Sequence, residues 1–247
     1  MLLKPVDHET MIAALHDCVA QHRLVVSGRE LLERTLNGSV KALMDVPSLA
    51  SPAAFGRASR MGRVASAILD NVEVEDRWAV ELAVMMSQLG VVSVPPVVAE
   101  KLADGSELAG AGQAMVDQLP AVAVQLISPI PRLAPVAEAI RYSRKGFDGS
   151  GSPDDAVAGT AIPFGGRLIR VVQDHDVLIT QGVAPSVALA TLHSHAAQYD
   201  PDLLAGCGVL RSSPLYGWRS HCRASTDGCW SWQRASSMRR RSTSGGA

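Results

Sequence analysis

Apolar side chains recur every three or four residues through most of the span from 55 to 199, and Gly or Pro interrupts them at short intervals. That spacing puts the apolar positions on one face of a helix, so the span can fold as short helices packed on a common core. It predicts helices over residues 57–69, 78–89, 115–127, 135–142, 168–178 and 185–197. In the second of these Trp78, Leu82, Met85, Met86 and Leu89 are apolar, and Gly90 suits its C-terminal end. Residues 91–96 read as extended, and residues 147–166 as a long Gly/Pro/Asp loop. The chain is 47% hydrophobic but only 4% aromatic, so Leu, Val, Ile, Ala and Met must form the core, and Ala and Leu favour helix. The expected fold class is all-α.

Both ends read differently. Residues 1–6 look like a strand end and turn, after which Asp7 can cap a helix carrying Met11, Ile12, Leu15, Val19 and Val26. Leu32, Leu36, Val40 and Leu43 continue at helical spacing, with Gly28 and Gly38 weakening the run. A coiled-coil linker and a packed amphipathic helix fit this segment equally. After Leu210 the residues Arg211, Arg219, Arg223, Arg234, Arg239, Arg240 and Arg241 face a single acid, Asp227, and no period survives. A disordered basic tail is expected there.

Charge and cysteines narrow the function classes. A formal net charge of -1 gives no whole-chain case for nucleic acid or an anionic membrane. Cys18, Cys207, Cys222 and Cys229 form no CxxC pair, which argues against a disulfide framework or zinc knuckle. No apolar run reaches about 18 residues, and the N-terminus lacks a signal-peptide pattern, so the expected location is cytoplasmic.

One stretch is specific. Phe147-Asp148-Gly149-Ser150-Gly151-Ser152-Pro153 is followed by Gly159, Ile162-Pro163 and Gly166-Arg167-Leu168-Ile169, and the span ends in Tyr199-Asp200-Pro201-Asp202-Leu203-Leu204. This order resembles the HD-GYP output domains of bacterial response regulators, with Ser152 where the family's Tyr stands. The resemblance implies an HD-domain-like helical bundle. It also implies metal-dependent hydrolysis of cyclic di-GMP, in which two or three metals activate a water.

That chemistry needs a dense set of His and carboxylate ligands. At the positions where the resemblance places them, the chain carries other residues. Arg60 stands for an early His, before Arg63-Val64-Ala65, and Ser87-Gln88 replaces the His-Asp pair. Leu119 replaces the His before Pro120, and Ser143-Arg144-Lys145 replaces a His-His-Glu triplet. Asp174 reads as the one retained carboxylate. Arg60 and Arg144, if they point inward, would repel a divalent ion. No catalytic residue, metal ligand or cofactor is therefore expected, and Fe or Mn only if the site is active after all. Asp148, Gly149, Gly151 and Pro153 are expected to shape the signature loop, with Asp148 bonded to its own backbone amides. Asp174 and Asp176 read as solvated or capping, and His193 and His195 as surface or packing residues facing different ways. The dipeptide His16-Asp17 lies far from the family's position.

Leu2-Leu3-Lys4-Pro5 resembles the last strand of a receiver domain. The expected division is a receiver remnant over 1–24, a helical linker over 25–54, a degenerate HD-GYP-like domain over 55–210 and the tail over 211–247. On this reading the chain is a fragment of a longer protein or starts at an internal Met, and the tail is an out-of-frame product. The expected function is a catalytically inactive response-regulator output that binds a protein or a cyclic dinucleotide, with a homodimer through residues 25–46. The alternative is an active cyclic di-GMP phosphodiesterase. Nucleic-acid binding through the Arg- and Trp-containing tail is a third reading.

Overall fold

The computed structural model describes residues 11–12, 16–22 and 52–211. The chain divides into two compact units, residues 1–46 and 47–247. In the first, residues 11–12 and 16–22 are helical and exposed, His16 and Asp17 among them. The receiver-like residues 2–5, the linker run with its homodimer contact, and the tail beyond 211 lie outside the described residues.

In the second unit nine helices follow one another among the described residues. They are α1 (Pro52–Leu69), α2 (Arg77–Met86), α3 (Pro96–Ala103), α4 (Ala111–Asp117), α5 (Leu119–Ile127), α6 (Ala134–Arg141), α7 (Phe164–Thr180), α8 (Pro185–Ser194) and α9 (Pro201–Gly206). A two-residue antiparallel pair, β1 (Arg144–Lys145) with β2 (Gly151–Ser152), lies between α6 and α7. The all-α class expected from apolar spacing is what the chain adopts. No helix among the described residues is long and apolar enough to cross a membrane.

Helix α7 is the hub, touching α1, α2, α6, α8 and α9. It brings Leu168, Ile169, Val171 and Val172 to full burial beside Met61, Ala65 and Ile68 of α1, Ala83, Val84 and Met86 of α2, and Ile140 of α6. Each fully buried Leu, Ile or Met contributes about 1.5–3 kcal/mol. Local chemistry sets the ends. The Asp76 side chain accepts from Ala79 N at 3.2 Å and starts α2. Gly182, at φ +90°, ends α7 while Val183 N donates to Leu178 O at 3.0 Å. Arg77 ties the α1–α2 corner: it donates to Leu69 O and Ser66 O and pairs with Glu81 and Asp70 at 2.8 Å each.

Several expectations change. Residues 91–96 are not a strand: Leu89–Ser93 is a 3-10 turn, and Pro96 opens α3. Pro fits the first helical turn, where its missing N–H has no partner to lose. The run over 115–127 is two helices meeting at Gln118, because Pro120 cannot donate inside a continuous helix. The helix expected over 78–89 stops at Met86, and α7 begins at Phe164 rather than Leu168. Gly90 therefore caps no helix end. A Cβ there would lie 2.2 Å from Leu119 O, so glycine lets the 3-10 turn sit against the start of α5. Gly90→Ala is expected to cost about 3 kcal/mol, the upper range for overpacking against backbone that cannot yield. A shift of the urea midpoint with unchanged slope checks it.

Candidate functional site

The sequence-predicted positions lie on α1 (Arg60), just after α2 (Ser87 and Gln88), at the start of α5 (Leu119), at β1 (Ser143 and Arg144) and on α7 (Asp174), and α7 touches α1, α2 and β1. On α1, Arg57 and Arg60 are one turn apart and reach the same carboxylate. Arg57 Nε lies 3.2 Å from Asp176 Oδ2, and Arg60 Nε lies 2.9 Å from Oδ1 with Nη2 at 3.3 Å from Oδ2. Asp176 is 5% exposed and Arg57 6%, whereas Arg60 is 37% exposed. The same guanidinium groups donate at 3.4 Å to Leu102 O and Ala103 O, in the last turn of α3, where the helix presents unpaired carbonyls. Asp176 is thus a buried structural anion, not a solvated or capping one.

Asp174, two residues earlier on α7, faces elsewhere. It pairs with Arg170 Nε at 2.8 Å and accepts from Tyr199 Oη at 2.8 Å. The retained carboxylate of the sequence reading is therefore held by the terminal motif, and the one that meets Arg60 is Asp176. Arg144 Nη1 reaches Asp117 Oδ1 at 2.6 Å, an exposed partner at the end of α4. Burial lowers the pKa of Arg57, Asp176 opposes that, and Arg60 and Arg144 lower it further by repulsion. Burial also lowers Arg144, against Asp117, with Arg170 adding repulsion.

The other positions at which the resemblance places ligands offer little to an ion. Ser87 and Gln88 are buried; the Ser87 hydroxyl donates to Val84 O at 2.7 Å and itself accepts from Gln88 Nε2 at 3.0 Å. Leu119 packs in a small apolar cluster with Val91, Ala99 and Val116. Ser143 is buried. Among the described residues no group of three or more His, Cys, Asp or Glu could hold a metal ion. Nor do the exposed histidines: His193 Nδ1 and His195 Nδ1 approach the carbonyls of Leu189 and Thr191, at 2.8 and 3.1 Å, within their own helix. Burial pushes the Cys207 thiol up to about 12, so it stays protonated.

The signature loop is folded back on the bundle. Asp148 accepts from Ser150 N at 2.9 Å and Ser150 Oγ at 2.6 Å, the self-bonding expected for it, and both bonds hold its carboxyl below the usual range. Gly149 and Gly151 have φ of +87° and +84°, and a Cβ on Gly151 would strike Arg144 O at 2.2 Å. Pro153 follows a cis peptide, and its carbonyl accepts from Lys145 Nζ at 2.7 Å. Lys145, 1% exposed, also donates to Asp155 O at 2.7 Å and pairs with its carboxylate at 3.2 Å. The loop meets the terminal motif through Phe147 N, which donates to Gln198 O at 2.9 Å, and Arg167 pairs with Asp200, which also caps α9.

A family model described as an HD domain matches residues 41–203. The chain belongs to the HD-domain family. No curated protein matches it. The match covers α1 through the first turn of α9 and includes every position at which the sequence resemblance locates a ligand.

A phosphohydrolase-like HD fold implies a divalent metal, and the residues here do not fit one. The buried carboxylate of Asp176 has both oxygens engaged by guanidinium groups. Where an HD fold implies a metal, this chain carries an arginine–aspartate network. Sequence reasoning found Arg60 and Arg144 but missed Arg57, Lys145 and the role of Asp176. Arg57 and Arg60 at i and i+3 on an otherwise apolar face was the available signal.

His175 next to Asp176 gives the network a pH limit. Burial lowers the His175 pKa, with Asp176 opposing. The unfolded chain therefore binds its proton first as pH falls, and stability drops from about pH 6.5 down to the lowered folded value. Melting curves between pH 7.5 and 5 should show that loss, and His175→Gln should flatten it.

Proposed function

We propose that this HD domain is the non-catalytic output domain of a bacterial response regulator, acting by binding a signalling protein or a cyclic dinucleotide. The observation that carries the reading is the Arg57–Asp176–Arg60 pairing, which engages both oxygens of a buried carboxylate on α7 and leaves neither free for a metal. The formed Asp148–Pro153 loop supports descent from the HD-GYP type, and the Leu2-Leu3-Lys4-Pro5 resemblance supports an upstream receiver. In this reading the signal reaches the helical domain through residues 25–46, and the domain changes which partner it holds.

The test is turnover. Purified chain incubated with cyclic di-GMP and Mn or Fe should release no linear product above a metal-only blank. Metal-dependent hydrolysis abolished by Asp176→Asn would overturn the proposal and favour the phosphodiesterase alternative.

A further inference from the structure

The corner between α1 and α2 is acidic and partly open. Residues 70–81 carry Asp70, Glu73, Glu75, Asp76 and Glu81 against one cation, Arg77. Arg77 is engaged by Glu81 and Asp70, and Asp76 caps α2. Glu73 and Glu75 are exposed, and among the described residues neither has an ion-pair partner. Both line a groove of about 490 Å³ whose apolar surface comes from Leu69, Val72 and Val74. The end of the described chain lies against the same corner. Cys207–Arg211 touches α1, and a Cβ on Gly206 would lie 3.2 Å from Val72 Cγ2 and 3.3 Å from Ile68 Cγ2. From there the sequence runs on into residues 212–247, which hold six arginines against the single acid Asp227. Leu215, Tyr216 and Trp218 come first, followed by Arg219 and Arg223.

We propose that residues 215–223 dock in this groove of their own chain, with Leu215 and Trp218 on Val72 and Val74 and with Arg219 and Arg223 paired to Glu73 and Glu75. Charge complementarity selects the occupant: the groove offers two unpaired carboxylates beside apolar surface, and the segment offers guanidinium groups beside apolar side chains. Reach allows it, since the eight residues from Arg211 to Arg219 span up to about 26–29 Å when extended. Each exposed ion pair contributes little. The tether offsets this by holding the segment at an effective concentration in the millimolar range. The proposal is independent of the non-catalytic reading.

Limited trypsin digestion of the full chain, followed by mass, tests the docking. Cleavage after Arg219 and Arg223 is read against cleavage after Arg239, Arg240 and Arg241, which lie beyond the docked segment. In about 20 mM salt the wild type should be cut at the first two sites about fivefold more slowly than a Glu73→Gln/Glu75→Gln double variant, and about 0.5 M salt should erase the difference by screening. The distal sites should be cut equally in both proteins, which shows that the substitutions leave the fold and the protease unaffected. Trp218→Ala should speed cleavage after Arg223 in the wild type and add nothing in the double variant, because both changes release the same contact. Equal cleavage of wild type and double variant at low salt would overturn the proposal and leave the groove to a basic segment of another protein. Protection that rises with protein concentration would also overturn it, by placing the segment on a second copy.

Discussion

Asp176→Asn is expected to lower the melting temperature by about 10 °C. The substitution keeps shape and removes charge, which leaves Arg57 buried with no anion. Breaking a buried pair on one side costs about 3–5 kcal/mol. For a domain of this size each kcal/mol moves the midpoint by about 2–4 °C. Arg60, more exposed, can turn to solvent and loses less. The second half of the test is rescue. Arg57→Met in the Asp176→Asn background removes the stranded charge and should recover much of the loss, because an apolar side chain suits a site closed to water. Failure of Asp176→Asn to destabilise would mean that the pair is not what joins α1 to α7.

Lys145→Met is expected to cost about 3 kcal/mol and to loosen the loop over 147–162 before the bundle. Methionine fills the volume but removes the donor to the part-buried carbonyls of Pro153 and Asp155 and the pair with the Asp155 carboxylate, at about 1 kcal/mol for each contact. The Tyr142 hydroxyl, 2.8 Å from Asp155 Oδ2, is a second tether to the same loop. Tyr142→Phe should therefore cost about 1 kcal/mol alone and show coupling with Lys145→Met in a double-mutant cycle. Amide exchange across the loop reads the effect locally, and a uniform loss of protection over α1, α2 and α7 would contradict it.

What the sequence revealed and what it concealed divide along a physical line. Apolar spacing located most of the helices because one buried face leaves a local period. The same reading missed α3, since Pro95-Pro96 looks like a break until Val97, Val98 and Leu102 are placed on a helix. It also joined α4 to α5 across Pro120. The positions at which the resemblance places ligands could be named residue by residue. The buried ion pair could not, because Arg57 and Asp176 lie 119 residues apart and no local pattern records such a pair. For the same reason Lys145, a charged residue in a surface-like triplet, gave no hint that it is among the most buried side chains. Arg60 was read as repelling an ion, and in the structure it pairs with Asp176.

Manganese calorimetry on the purified, chelator-treated chain tests most directly the proposal that this HD domain holds no hydrolytic metal. The expected result is no saturable heat at micromolar to low millimolar metal, with the same melting temperature in manganese and in EDTA. Stoichiometric, stabilising binding that Asp176→Asn abolishes would show that the arginines yield to a metal and would contradict the account.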